Sequence, residues 1–377
     1  MKSCIILGST GSIGQSTLEV IRAFPQSFSI QGIAAYSNID LLLSQIQEFH
    51  PTYVAVADPQ AAKKLQEKNP PVKVFSGLEG ICEMVSLCKA DLCVAAMSGS
   101  MGLKPCLQAL KQGSDLALAN KEILVASGAL LMEAASKQGR KILPLDSEHS
   151  ALFQCLEASP NQRFKKLILT ASGGPFFKRK GDFDKITLEE ALAHPTWKMG
   201  PKITVDSSTM MNKGLEVIEA FWLFKASSKQ IEVVIHPQSL VHSFVEFEDG
   251  ALLAQVSKPS MLLPIQYALF YPQRTKQLID PLDFSSYSAW EFYPPNFKDF
   301  PCLQLAYAAL EAGGSMPCFL NAANEVLVER FLKKQIRWVD IAIKLEALML
   351  QHCVIEKITL DDLEVVDKIA REKALLI

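Results

Sequence analysis

The stretch SCIILGSTGSIGQSTLEVIRAF, residues 3–24, decides the fold. An unbroken apolar run from Cys4 to Leu7 leads directly into Gly8, Gly11 and Gly14, spaced G-x-x-G-x-x-G, and then into LEVIRAF, whose apolar residues fall at helical intervals. A continuous apolar run marks a strand covered on both faces, as in a parallel sheet flanked by helices. Glycines at the strand-to-helix turn let the backbone approach a pyrophosphate, whose charge then sits at the helix N-terminus. The pattern predicts that this helix begins near Gln15. An ordinary βα turn carries the same glycines, so the surrounding chain has to separate the two readings.

To about residue 146 the alternation repeats. FSIQGIAA, TYVAVA, VKVFSG, DLCVAAMSG, DLALAN and KILPLD are further short apolar runs, and segments such as EILVASGALLMEAASK lie between most of them with helical spacing. Together with the first run they predict an α/β domain over residues 1–146: a doubly wound, Rossmann-like parallel sheet whose ligands sit at the carboxyl ends of the strands. On the first strand of such a sheet the glycine loop reads as a dinucleotide site. The second strand ends in Ala35-Tyr36-Ser37-Asn38, without the acid that would hold an NAD ribose, and this favours NADP.

Residues 147–270 read as a central α+β domain. KKLILTAS, IEVVIHP, SLVHSFVEFEDG and ALLAQVS are strands, the last two forming a hairpin through Asp249 and Gly250. Residues 271–300, with Pro272, Pro281, Pro294 and Pro295 among Asp and Ser turn signals, read as an ordered linker. From Pro301 to residue 377 four helical patterns follow, enough for a small bundle.

Composition narrows the class. Of 377 residues, 49% are hydrophobic and 21% charged, a globular balance. A net charge of −2 gives no concentrated basic surface for nucleic acid or anionic membrane, so any phosphate binding is local. Nine Cys at irregular spacings, with no CxxC pair, fit free thiols in a reducing, cytoplasmic compartment. No run reaches the ~18 apolar residues of a membrane helix, and the glycines after Leu7 make the N-terminus a strand rather than a signal peptide.

The chemistry-bearing residues collect at strand ends. In LPLDSEHS, Asp146 and Glu148 stand one residue apart, and in an extended chain they face one spot. Oxygen donors without thiolate suit a hard divalent ion, Mg²⁺ or Mn²⁺; solvated loop acids, with Asp146 as a helix N-cap, are the alternative. In VDSSTMMNKGLEVIEAFW, a helix from about Ser208 puts Asn212 and Glu216 at i and i+4 with Lys213 beside them, so Glu216 reads as a third ligand. Ser207, Asn212 and Lys213, with the SGGP turn at Ser172 to Pro175, supply the hydroxyls, amide and cation that a phosphate needs. Lys121, in ANKE, places a cation where the helix dipole opposes it, which suits an anionic or metal-chelating substrate; Glu122 is an ordinary first-turn acid. HPTWKMGPK, residues 194–202, has the composition of a lid, with His194 to touch substrate. His236 and His242 read as structural.

GSTGSIG, ANKE, LDSEHS, SGGPF, HPTWKMG, VDSSTMMNKGLE and IHPQS, in this order, closely resemble the 1-deoxy-D-xylulose 5-phosphate reductoisomerase family over essentially the whole chain. The resemblance implies isomerisation plus reduction of 1-deoxy-D-xylulose 5-phosphate, a small phosphorylated sugar, to 2-C-methyl-D-erythritol 4-phosphate by a homodimer. It also implies NADPH, a divalent metal and a place in non-mevalonate isoprenoid synthesis. Metal ligands fall on Asp146, Glu148 and Glu216; phosphate contacts on Ser172, Ser207, Asn212 and Lys213. Lys121, Ser147, Glu148, His194 and Glu216 fall at substrate, with Lys121, Glu148 and His194 in catalytic roles. Cofactor positions fall on Thr10, Gly11, Ser12, Ile13, Asn38, Asn120, Glu122 and Gly200, and Trp197 and Met199 belong to the closing loop. Two positions depart from the family pattern: Tyr36 replaces a Gly after the second strand, and Leu262 stands where many relatives carry Arg. A simple NADP-dependent dehydrogenase of a phosphorylated compound and a non-catalytic nucleotide sensor are the competing readings.

Overall fold

The computed structural model describes residues 1–377, apart from the side chain of Ser100. The chain packs into two compact units: Met1–Ile123 with Ala129–Ser150 and Ser260–Asp280, and Leu124–Gly128 with Ala151–Pro259 and Pro281–Ile377.

The first unit is built on seven strands: β1 (Lys2–Leu7), β2 (Phe28–Ala35), β3 (Tyr53–Val56), β4 (Lys73–Ser76), β5 (Leu92–Ala95), β6 (Asp115–Leu118) and β7 (Ile142–Pro144). Each corresponds to one of the apolar runs, and every pairing is parallel. The order is β4-β3-β2-β1-β5-β6-β7. Cys4, Ile5, Ile6 and Leu7 are fully buried in central β1, whereas the edge strand β4 exposes Lys73 and Ser76. That is why the inner strands read as unbroken apolar runs. Helices α1 (Ser12–Ala23), α2 (Ile39–Phe49), α3 (Pro59–Glu67), α4 (Gly77–Leu87), α5 (Leu103–Lys111) and α6 (Lys121–Lys137) connect the strands, and α7 (Ser147–Ala158) follows the last. Because the chain runs from β1 toward β4 on one side and from β5 to β7 on the other, the order reverses between β1 and β5, where a ligand crevice opens in such sheets.

Two expectations are corrected here. Helix α1 starts at Ser12 rather than near Gln15, because Gly11 acts as N-cap and the N–H of Gln15 closes the first turn on its carbonyl at 2.9 Å. Glu148 is not in extended chain: α7 begins at Ser147, and the Asp146 carbonyl accepts the N–H of Ser150 at 2.8 Å. Asp146 thus stands at the helix start and Glu148 in its first turn, where the dipole favours an acid.

The second unit carries β8 (Phe164–Ala171), β9 (Ile231–Ile235), β10 (Val241–Phe247) and β11 (Leu252–Val256) in the order β11-β10-β8-β9. β8 and β9 are parallel; β10 is antiparallel to both β8 and β11, with the hairpin turn at Asp249 and Gly250. Helices α8 (Leu188–Leu192), α9 (Pro201–Ser208) and α10 (Met211–Phe224) lie between β8 and β9 in the chain. The next helix, α11 (Leu262–Phe270), belongs to the first unit, where Phe270 packs edge-on against Phe24 and Phe28 at 4.8 and 4.9 Å. The four C-terminal helices, α12 (Pro301–Ala312), α13 (Met316–Leu332), α14 (Trp338–Leu350) and α15 (Leu360–Leu376), complete the second unit. None of the described helices is long and apolar enough to cross a membrane.

Helix α10 is buried almost all round and approaches α12 at Gly214, where an added Cβ would lie 2.5 Å from the Ala306 methyl. Gly214→Val is expected to cost about 1–3 kcal/mol by overpacking, read as a lower urea midpoint. An unchanged midpoint would show that the two helices part freely.

Candidate active site

Site residues fall into two groups, one in each unit. In the first, the glycine loop is shaped by close backbone approach. An added Cβ on Gly14 would lie 2.2 Å from the Gly8 carbonyl oxygen, and one on Gly8 would lie 2.4 Å from that of Ala96, just after β5. Gly8 also has φ +89°, a left-handed conformation that side chains disfavour. Thr10 and Gly11 form the turn. Gly11 offers no side-chain cap, so the first-turn N–H groups of Ser12 and Ile13 remain for an anion.

Ser9, which the sequence did not single out, braces this loop. Its buried hydroxyl donates to Gln45 Oε1 at 2.7 Å while Gln45 Nε2 donates back to the Ser9 carbonyl at 2.9 Å. A glutamine on the apolar face of α2, beside Leu42 and Ile46, was the available signal. Asn38 caps α2, its Oδ1 accepting from Leu41 N at 3.2 Å, and Tyr36 beside it is 61% exposed. Asn120 caps α6 in sequence, and its Nδ2 donates to the carbonyls of Met97 and Gly99, fixing the loop after β5. Glu122 lies in the first turn of that helix.

The cation that opposes the helix dipole has its answer in this unit. Lys121, 5% exposed, forms an ion pair with Asp146 at the end of β7. Two strand ends that are neighbours in the sheet, β6 and β7, thus bring a buried ammonium onto a carboxylate. The hydroxyl of Ser147 donates to Glu148 Oε2 at 2.6 Å. His149, two residues on from Ser147 in α7, is fully buried.

The second group gathers at the end of β8. Gly173 and Gly174 both take left-handed conformations, φ +83° and +64°; an added Cβ would meet Ile235 and Phe177 at 2.8 Å from the first and the Ser207 carbonyl oxygen at 2.8 Å from the second. The SGGP turn therefore lies directly against the C-terminal end of α9.

His194 reaches this turn. Its Nδ1 accepts the backbone N–H groups of Thr196 and Trp197 at 3.1 and 2.9 Å, so its proton is on Nε2, which donates to Ser172 Oγ at 2.9 Å. Ser172 Oγ also accepts from Gly174 N at 3.2 Å. With both lone pairs engaged, the Ser172 hydroxyl keeps its O–H to donate. Burial lowers the His194 pKa from its ordinary 6.5 and keeps the ring neutral.

A group held below its ordinary pKa contributes fully above pH 6.5 and loses that contribution as pH falls through the lowered value. Protonation at Nδ1 breaks both bonds to the 194–200 loop. The Trp197 fluorescence, isolated by subtracting Trp197→Phe, is expected to hold steady above pH 6.5 and shift as pH falls below it. A flat signal from pH 6.5 down to the onset of acid unfolding would sink the His194 clasp.

Past Gly200, the exposed N-cap of α9, the chain departs from the single helix expected from Ser208. Met210 adopts φ +65°, ends α9 and restarts the chain as α10. The break depends on tertiary packing, since a left-handed methionine costs about 1–2 kcal/mol on its own. On α10 the anticipated stripe forms: Asn212 Nδ2 donates to Glu216 Oε1 at 2.6 Å, and Lys213 pairs with Glu216 Oε2. The Lys213 and Glu216 side chains are 4% and 1% exposed. Ser207, at the end of α9, makes no side-chain hydrogen bond among the described residues and is partly accessible.

Elsewhere, His236 Nε2 accepts from Leu240 N at 3.2 Å, so Nδ1 donates to the Glu291 carbonyl at 2.9 Å. His242 is buried beside Ser257, and desolvation takes its pKa to about 4. Both serve as braces.

Residues 4–128 match the family model described as 1-deoxy-D-xylulose 5-phosphate reductoisomerase, 142–224 its C-terminal domain, and 256–373 the DXP reductoisomerase C-terminal domain. The reductoisomerase of Protochlamydia amoebophila (strain UWE25) is 52% identical over 99% of this chain and 98% of that protein. That of Thermoanaerobacter pseudethanolicus is 50% identical over 99% and 98%. Among solved structures, the Zymomonas mobilis reductoisomerase in complex with NADPH aligns with TM-score 0.93 at 37% identity, covering 100% of this chain and 98% of that one. A DOX-P reductoisomerase in complex with NADPH, fosmidomycin and magnesium aligns with TM-score 0.93 at 40% identity and the same coverage. On its family-model matches, full-length identity and fold, this chain belongs to the 1-deoxy-D-xylulose 5-phosphate reductoisomerase family.

Proposed function

We propose that the first group of residues carries the cofactor, that the second grips the substrate phosphate, and that Asp146, Glu148 and Glu216 hold one divalent ion. The chain is an NADPH- and divalent-metal-dependent oxidoreductase that isomerises and reduces 1-deoxy-D-xylulose 5-phosphate to 2-C-methyl-D-erythritol 4-phosphate, a step toward isoprenoid precursors. The observations that carry the site assignment are the buried Asn212–Lys213–Glu216 cluster on α10 and the turn after β8, whose Ser172 keeps a hydroxyl to donate.

The donor set fits the metal. Three carboxylates are what a hard divalent ion takes, and Asp146 and Glu216 each already face an ammonium, from Lys121 and Lys213. Bound there, Mg²⁺ or Mn²⁺ supplies Lewis acidity toward the substrate's oxygens.

The chain's own residues do the rest. Lys121 offers a proton-bearing ammonium beside Asp146, and Glu148 a carboxylate already hydrogen-bonded by Ser147. Ser172, Ser207, Asn212 and Lys213 bind and orient the phosphate. His194 ties the 194–200 loop to Ser172, so that closing Trp197 and Met199 over the reactants excludes water. Thr10, Gly11, Ser12, Ile13, Asn38, Asn120, Glu122 and Gly200 hold NADPH, with the pyrophosphate at the α1 N-terminus.

NADPH oxidation with 1-deoxy-D-xylulose 5-phosphate, with and without Mg²⁺ or Mn²⁺, tests the reading. Metal-dependent formation of a branched product is expected. An unbranched product would point to a simple dehydrogenase, and NADPH binding without turnover to a sensor. We further propose a cytoplasmic homodimer. Free, mostly buried thiols suit a reducing compartment. Edge strand β11, with Leu252 and Leu253 55% and 36% exposed, offers backbone groups and apolar surface to a second copy. Sedimentation of the full chain as a monomer would exclude the dimer.

A further inference from the structure

Ser207 stands on α9 between two anchored neighbours. Asp206 is 1% exposed and accepts from Asn324 Nδ2 at 2.9 Å, while its other oxygen pairs with Lys202 at 2.8 Å. Ser208 is fully buried; its Oγ accepts from Trp338 Nε1 at 2.9 Å and donates to the Val205 carbonyl at 2.7 Å. From Thr204 to Met210, Ser207 alone is not buried.

Successive helical residues point about 100° apart. Side chains clamped at 206 and 208 therefore fix the rotation of α9 about its axis and leave 207 aimed between them. Both clamps come from far along the sequence, Asn324 on α13 and Trp338 at the start of α14.

Trp338 reaches the facing wall as well. Its ring packs edge-on against Phe176 at 5.6 Å, and Phe176 directly follows the SGGP turn that carries Ser172. It also stacks on Phe183 at 5.7 Å and meets Phe300 at 6.2 Å. A single indole thus touches both elements of the phosphate grip, with its ring on the turn and its N–H on α9. The two elements meet where a Cβ added to Gly174 would lie 2.8 Å from the Ser207 carbonyl oxygen, so a small rotation of α9 moves the Ser207 hydroxyl relative to Ser172.

We propose that Asn324 and Trp338 are positioning residues for the phosphate grip: through Asp206 and Ser208 they set the direction of the Ser207 hydroxyl, and the C-terminal helices thereby tune affinity for the phosphorylated substrate. This rests on the reading of Ser207 as a phosphate contact. A role in stability alone would leave substrate affinity untouched, and that difference makes the inference testable.

The experiment compares the full-length Asn324→Ala, Trp338→Phe and Ser207→Ala variants with Leu345→Ala, which removes a fully buried side chain from α14 that takes part in none of the hydrogen bonds or ring contacts described above. Both positioning variants are expected to raise KM for 1-deoxy-D-xylulose 5-phosphate about tenfold, the scale of one lost buried hydrogen bond, with KM for NADPH unchanged. Leu345→Ala is expected to melt earlier at wild-type KM. Asn324→Asp, which sets two carboxylates face to face, is expected to raise KM further, and adding Asp206→Asn restores a donor–acceptor pair and lowers it again. Wild-type KM in Asn324→Ala and Trp338→Phe, with a raised KM in Ser207→Ala, would overturn the positioning role and leave the phosphate reading standing. Unchanged KM in Ser207→Ala would overturn both. A double variant no better than Asn324→Asp alone would overturn the pairing with Asp206.

Discussion

Glu216→Gln is expected to lower kcat/KM for 1-deoxy-D-xylulose 5-phosphate by at least about a thousandfold, equivalent to ~4 kcal/mol of transition-state stabilisation, and to abolish the response to added Mn²⁺. The substitution keeps the shape of the side chain and removes only its charge. Two consequences then add. A hard divalent ion loses one of three carboxylate donors, and the buried Lys213 ammonium loses its ionic partner. Breaking one side of a buried ion pair costs about 3–5 kcal/mol, so the melting temperature is also expected to fall. The two effects separate by metal titration: a folded variant that neither binds nor needs Mn²⁺ supports the ligand role. Turnover and Mn²⁺ dependence both at wild-type level would remove Glu216 from the metal site.

Gly14→Ala should weaken NADPH binding by about a hundredfold, roughly 2.7 kcal/mol, through one methyl group. That methyl would lie 2.2 Å from the Gly8 carbonyl oxygen and 2.6 Å from the Ser9 Cα, both backbone atoms that no rotamer change can move aside. To make room, α1 must slide away from the loop, and the N–H groups of Ser12 and Ile13 leave the place where a pyrophosphate meets them. Cofactor fluorescence gives the affinity directly. Ser172 and Lys213 lie in the other unit and keep their geometry, so inorganic phosphate should bind the variant as it binds wild type. NADPH affinity within threefold of wild type would show that the glycine loop serves the fold rather than the cofactor.

Both predictions start from positions visible in the chain itself. The seven strands of the first unit were legible because a central parallel strand is buried on both faces, and burial on both faces is written as an unbroken apolar run. The glycine loop was legible because close approach of two backbones excludes every side chain but that of glycine, as at Gly8 and Gly14. Asn212, Lys213 and Glu216 were legible because helical spacing alone puts three and four residues apart on one face.

Other features had no such local record. LDSEHS reads as extended chain until α7 is seen to start at Ser147, because a helix N-terminus and a strand end share the same polar residues. Lys121 looks misplaced on its helix until β6 and β7 pair and bring Asp146 to it. The helix expected from Ser208 breaks at Met210, where packing holds a left-handed residue that propensity disfavours. Asn324 and Trp338 lie 118 and 130 residues from their partners, and no periodicity connects them. By itself, then, the sequence determined the strands of the first unit, the glycine loop and the polar stripe of α10, since each follows from local geometry or from burial. Only the tertiary structure decided which charge meets which and how α9 is clamped at Asp206 and Ser208, because buried polar pairs are chosen by distance in space, which the order of residues along the chain does not record.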